Sequence, residues 1–300
     1  MVANKGISKK VMSNKYEKQV EYEKDFMKEL PLHYTMPESI DNWRHTRMLN
    51  TIIEIINYSK ENKKNLTNSW VTIGDGRFAD NAHYLHEKGL NEVIATSISE
   101  ENLIWSRDNN YIKKFKVENA ENLSFQDKSI DFILCKESYH HFPKPQIALY
   151  EMMRVAKQAV ILIEPLDDNK LFNFFKKFIK LLIRGKGQGD FIFEPSGNFL
   201  YRISLKELKK TLCAIGGYNF AFKGINDFYI FKFEKKSCKT YNIANIITKF
   251  AIFFQDILSK INLLGYGLCS IIIYEKNNKN LESVLINSGF KIFKIPQLEE

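Results

Sequence analysis

Between Ser69 and Pro165 the chain repeats one texture: a short apolar run of strand length, a turn, then a stretch with helical spacing. Few folds accept that order. The runs are Trp70 to Ile73, Glu92 to Thr96, Lys113 to Val117, Ile130 to Cys135 and Ala159 to Ile163. Helical patterns lie between most of them, and Gly89 stands where the first helix would stop. A strand that returns through a helix must run parallel to its neighbour, with helices packed on both faces of the sheet. The expected fold is therefore α/β, a doubly wound, mostly parallel sheet of Rossmann-like type.

The flanks carry a different texture. Residues 1–36 read as a polar helical lead-in, and Glu38 to Asn57 has apolar residues at helical spacing, so residues 1–68 are expected to form an N-terminal helical cap. Residues 69–300 then form the main domain, with helical insertions near 166–200 and 240–265. Within it, Ser204 caps a helix to Cys213, Asp227 to Phe233 reads as a strand, Asn242 to Leu264 as a long amphipathic helix, and Leu268 to Tyr274 as another strand. Two late strands after the alternating block imply an antiparallel addition at one sheet edge.

Composition narrows the class. Of 300 residues 44% are apolar, which excludes disorder as the main state. No stretch approaches the roughly 20 apolar residues of a membrane span, because Lys176, Lys177 and Lys180 interrupt one run and Asp256 and Lys260 another. The first 30 residues have no apolar signal core. Cys135, Cys213, Cys238 and Cys269 stand singly, without metal-ligand spacing, so a reduced, cytoplasmic protein without structural metal is expected. The net charge of +9 is spread along the chain and does not form a nucleic-acid-binding block.

In an open α/β sheet ligands bind beyond the carboxyl ends of the strands. The loop after the first strand, Gly74-Asp75-Gly76-Arg77-Phe78-Ala79, allows close backbone approach and opens a helix. It also fits the dinucleotide fingerprint G-x-G-x-x-A, which asks for an acid about 20 residues later, near where Ser97 stands. A nicotinamide-dependent oxidoreductase rests on that loop alone.

The later runs are more specific: Glu118-Asn119-Ala120-Glu121-Asn122-Leu123, Ile130-Asp131-Phe132-Ile133-Leu134-Cys135-Lys136-Glu137, and His140-His141-Phe142-Pro143. Together with the glycine loop they resemble the small-molecule branch of the class I S-adenosylmethionine-dependent methyltransferases, over Trp70 to Pro165. The resemblance implies S-adenosylmethionine as cofactor. It puts Gly74 and Gly76 beside the methionine part, Ser97 at the ribose, and Ile98, Asn119 and Ala120 near the adenine. Lys136 leaves the fourth strand at the same site. The chain departs from the family at Thr72, Phe78 and Ser97, where an acid, a glycine and a carboxylate are usual. Asp75 is expected to compensate by meeting the cofactor's ammonium or a ribose hydroxyl.

Methyl transfer asks the protein to position the acceptor and, for a hydroxyl, to remove a proton. Glu137, His140 and His141 are the expected catalytic residues, with a structural or orienting role for the histidines as the alternative. Tyr139, Asn198, Tyr201 and Arg202 are expected to face the substrate. Trp43, His45 and Arg47 either close over the pocket or pack the cap. The same run resembles enzymes of bacterial surface-glycan biosynthesis, which implies a nucleotide-linked or lipid-linked sugar acceptor. The alternative is a non-catalytic binding module on the same fold. Lys170 to Lys186, with six basic residues and no acidic one among its aromatics, allows peripheral membrane contact or a cap packed on the Asn242 helix.

Overall fold

The computed structural model describes residues 16–21, 30–62, 67–167, 193 and 199–296. Asn198 and the basic run 170–186 lie outside them. The described elements begin with the short helix α1 (Leu32–Thr35), then α2 (Ile40–Leu49), which a 3-10 turn at Asn50–Ile52 joins to α3 (Ile53–Glu61). Ser39 starts α2 as an N-cap, its hydroxyl accepting from the Asn42 amide. The alternating block follows as β1 (Trp70–Ile73), α4 (Asp80–Glu87), β2 (Val93–Ser97), α5 (Glu101–Asp108), β3 (Lys114–Val117) and β4 (Ile130–Lys136). A 3-10 turn at Tyr139–His141 leads to α6 (Pro145–Val155) and β5 (Ala156–Pro165). The remainder is α7 (Leu205–Ile215), β6 (Tyr218–Ile225), α8 (Ile243–Lys260), β7 (Leu268–Glu275), α9 (Lys279–Asn287) and β8 (Lys291–Phe293).

The described strands form one eight-stranded sheet in the order β3-β2-β1-β4-β5-β7-β6-β8. Pairings from β3 through β5 are parallel, and β7 joins β5 antiparallel, as expected of the edge. β1 and β4 are buried along their whole length. Apolar clusters cover both faces: one around Ile52, Trp70, Leu85, Phe132 and Ile161, the other around Val71, Ile133, Met152, Leu162 and Ile271. Burial on both sides is why these strands read as unbroken apolar runs.

One expectation is corrected. Asp227 to Phe233 is not a strand; the strand is the preceding stretch, β6, all eight residues of which pair with β7 from Glu275 back to Leu268. The chain beyond turns away, with Asp227 gripped by Arg44 and Phe231 70% exposed. Strand β8 and helix α9 complete that edge, and no helix among the described residues is long and apolar enough to cross a membrane.

Candidate functional site

Strand order reverses at β1, which pairs with β2 on one side and β4 on the other. Crossovers leave in opposite directions there, opening a crevice at the carboxyl ends. The loops from β1, β2, β3 and β4 bring Gly74, Ser97, Asn119 and Lys136 to this edge. The loops are stitched together: Asp75 N–H donates to Thr96 O (2.7 Å), Glu118 N–H to Ser97 O (2.9 Å), and the Ser138 hydroxyl to Gly74 O (2.7 Å).

The glycine loop turns sharply. Gly74, Phe78 and Ala79 all have left-handed backbone, φ +69°, +57° and +54°. A Cβ on Gly74 would stand 2.6 Å from Ser138 Cβ, so glycine lets the loops of β1 and β4 touch. Phe78 takes the strained place because its ring is buried edge-on against Trp105, in a cluster with Tyr34 and Tyr111. Its carbonyl accepts from the Tyr34 hydroxyl (2.6 Å) and the Ser106 hydroxyl (2.7 Å).

The side chain of Asp75 is a correction to the expected contact with a cofactor amine or ribose. Its carboxylate turns back on α4, accepting from the Asn81 and Ala82 amides (3.1 and 2.9 Å), the Asn81 side chain (3.0 Å) and the Thr72 hydroxyl (2.8 Å). It caps the helix from inside and neutralises its amino-terminal dipole. Burial pushes its pKa up against the pull of those hydrogen bonds. Thr72, one of the departures from the family pattern, is thereby explained as Asp75's partner.

Ser97 is buried, its Oγ accepting from Ser99 N–H (3.2 Å), and Ile98 beside it is half-buried. Asn119 Oδ1 accepts from the Glu121 amide (2.9 Å), shaping the turn that holds the buried Ala120. Gly76 is buried, and its carbonyl accepts from the Asn102 side chain, whose Oδ1 is buried without a hydrogen bond.

At the end of β4 the charges gather. The Lys136 ammonium lies 2.5 Å from Glu137 Oε2 and 2.8 Å from His45 Nδ1 on α2. Burial alone would raise the pKa of Glu137, but Lys136 and His45 outweigh it and hold the carboxyl well below the usual range. Glu137 also has left-handed backbone, φ +50°. Of the three cap residues, His45 alone joins this group. Arg47 donates to the Asn226 carbonyl, and Trp43 lies under Lys249 of α8, 5.5 Å from its ring centre.

Glu164, near the end of β5, is fully buried and was not singled out as functional. Its Oε1 accepts from the Ser138 and Tyr139 amides (2.8 and 2.9 Å), and its Oε2 from His140 Nδ1 (2.5 Å). The only sequence sign is a carboxylate ending an apolar run. His140 is buried, and His141 lies beside it with its ring tilted by 43°, 3.9 Å between ring centres. Tyr139 and Tyr201 meet edge to face and line a narrow cleft with Gln146 and Glu207. The Tyr201 hydroxyl donates to Glu207 (2.7 Å), and burial with that bond raises its pKa to about 12. Arg202 is exposed. No group of His, Cys, Asp and Glu among the described residues has metal-binding geometry.

Residues 71–163 match the family model described as a methyltransferase domain. No curated protein matches the sequence. Among solved structures, a SAM-dependent methyltransferase from Methanosarcina mazei is 19% identical, with 71% of this chain and 95% of that one covered and a TM-score of 0.44. Magnesium protoporphyrin IX methyltransferase from Synechocystis, solved with bound SAH, is 12% identical, with 79% and 85% covered and a TM-score of 0.47. The YcgJ protein of Bacillus subtilis is 18% identical, with 75% and 96% covered and a TM-score of 0.44. The family match spans the parallel half of the sheet, β1 to β5, so it is this part of the chain, with the four loops of the crevice, that is similar to a methyltransferase domain.

Proposed function

We propose that the protein is an S-adenosylmethionine-dependent methyltransferase acting on a hydroxyl or amine of a small metabolite. One observation carries this reading: the segment matched to the methyltransferase domain contains all four loops that converge at the β1/β4 crevice. The residues there suit a zwitterionic, hydroxylated ligand. Lys136 and Glu137 offer one charge of each sign, Ser97 and Asn119 offer polar groups for hydroxyls and ring nitrogens, and Ile98 and Ala120 offer apolar surface for a flat base. Gly74 and Gly76 keep the first loop low enough for close approach. The cofactor, when bound, supplies the electrophilic methyl group.

The chain's own task is then to orient the acceptor and take its proton. Glu164 anchors His140 through Nδ1, which makes His140 the base candidate of this loop. His141 lies beside it as an orienting group. Glu137, kept ionised far below neutral pH, is a poor base and a good fixed charge. Tyr139, Tyr201 and Arg202 are assigned to the acceptor side, where Tyr201 N–H donates to the His140 carbonyl (3.1 Å); Asn198 keeps that assignment from the sequence alone. A sugar acceptor, nucleotide-linked or lipid-linked, likewise rests on the sequence resemblance.

Calorimetric titration tests the reading. S-adenosylmethionine and its demethylated product are expected to bind and nicotinamide dinucleotides to give no heat. Gly76→Val, which places a branched side chain in the first loop, should abolish that binding while circular dichroism stays native. Binding of a dinucleotide alone would overturn the assignment. No binding of any of them would favour the non-catalytic module, a reading that the Lys136–Glu137–His45 group, already paired within the protein, also accommodates.

A further inference from the structure

Helix α8 sits inside out. Its buried positions include Asn245, Thr248 and Ser259, while Ile246, Phe250, Phe253, Phe254 and Ile257 point to solvent, Phe250 66% and Phe253 62% exposed. These five share one helical face. Hydrogen bonds on the inner side lock the rotation. Asn245 donates to the Cys238 carbonyl (2.8 Å), and Asn226 donates to Asp256 (2.8 Å) and to Ser259 (3.1 Å). Turning the helix to hide its phenylalanines would break all three and leave buried polar groups unpaired. The outward apolar face is therefore a built feature, and an uninterrupted face of this size marks a docking surface.

Charge identifies what docks. From Lys232 to Lys260 the chain carries six lysines, all exposed, against Glu234 and Asp256; Lys239 is paired with Glu38, and Asp256 accepts from Asn226, which leaves five lysines without a carboxylate partner among the described residues. A second copy would set lysines against lysines. The chain's other basic, aromatic run, residues 170–186, has six cations and no acid and would be repelled in the same way. An anionic bilayer accepts both features, apolar side chains among its acyl chains and lysines at its headgroups.

We propose that α8 is an interfacial membrane helix that holds the protein on anionic phospholipid. The helix connects the end of β6 to the start of β7, and Leu268 of β7 pairs with Pro165 at the carboxyl end of β5. It thus lies at the same edge of the sheet as the candidate site, and docking brings that edge to the lipid surface. The proposal stands apart from the methyltransferase reading and needs no cofactor.

Flotation of the full chain with phosphatidylcholine vesicles, with and without phosphatidylglycerol, at low and moderate salt, tests it. Association is expected with phosphatidylglycerol vesicles, several-fold weaker at moderate salt. Phe250→Ser/Phe253→Ser/Phe254→Ser should lose most of it with an unchanged thermal melt, because these side chains are exposed. Lys235→Glu/Lys260→Glu should remove the salt-sensitive part. No association at either salt overturns the proposal, as does association that survives the triple replacement. So does light scattering that shows a dimer dissolved by that replacement in a protein that ignores vesicles.

Discussion

Glu137 carries the clearest electrostatic signature of any single side chain at the site. Its folded pKa is depressed by Lys136 and His45, so between its ordinary value of 4.5 and its folded value the unfolded chain holds the extra proton. Stability from this group is complete above about pH 4.5 and drains as pH falls through the folded pKa. Denaturation midpoints for the native chain and Glu137→Gln should differ most above pH 4.5 and converge in acid; a constant gap across that range would contradict the assignment. Thiol chemistry separates the cysteines in the same residue-by-residue way. Burial raises the pKa of Cys135 and Cys269, whereas Cys213 is exposed. In the folded protein iodoacetamide should label Cys213 within the time that Cys135 and Cys269 stay unmodified, as peptide mapping would report.

Among the elements, the loop between β4 and α6 depends on a strand it does not belong to. Glu164 on β5 ties down two of its amides and His140, so the loop keeps its shape only while that carboxylate is present. Glu164→Ala leaves these donors buried and unpaired and should cost about 3–5 kcal/mol in urea unfolding. Glu164→Gln keeps one acceptor for the amides and should cost less. If His140 is the base, the glutamine variant should also lower kcat for a hydroxyl acceptor and shift its pH profile while KM changes little. An unchanged profile would leave Glu164 as a structural anchor only.

At the scale of the molecule, the cap is joined to the sheet by polar contacts that span the sequence. Arg44 on α2 grips Asp227 through two nitrogens, Arg47 reaches the Asn226 carbonyl, and His45 reaches Lys136. The Asp227 side chain is 15% exposed, so removing Arg44 strands a largely buried carboxylate. Arg44→Ala should cost about 3 kcal/mol, and Arg44→Ala/Asp227→Ala less than the single change, because the double replacement also removes the main carboxylate that Arg44 pairs with. Limited proteolysis should cut the Arg44→Ala chain within residues 30–68 faster than the native one. Equal cutting would mean that apolar packing of Met48, Ile52 and Ile56 holds the cap unaided.

The parallel half of the sheet was legible chiefly because β1, β4 and most of β2 and β5 are buried on both faces, and burial demands apolar runs, whereas the exposed edge strand β3 follows from its place in the alternation. The late edge was only partly so. Tyr218 to Ile225 and Asp227 to Phe233 are both apolar and aromatic, and pairing with β7, a contact some fifty residues away in sequence, chose between them. The site divides in the same way. The loops at Gly74, Ser97, Asn119 and Lys136 follow strands and could be named from position alone. The direction of each side chain could not. Asp75 turns inward because four donors surround it once α4 is in place, and Glu164 matters because the fold sets it beneath the β4 loop. Sequence by itself determined where the strands of the parallel half and their turns fall and which faces must be covered, since those follow from local periodicity and turn chemistry. Only the tertiary structure decided which charges pair and which helix face stays open, since those depend on distances between segments far apart along the chain.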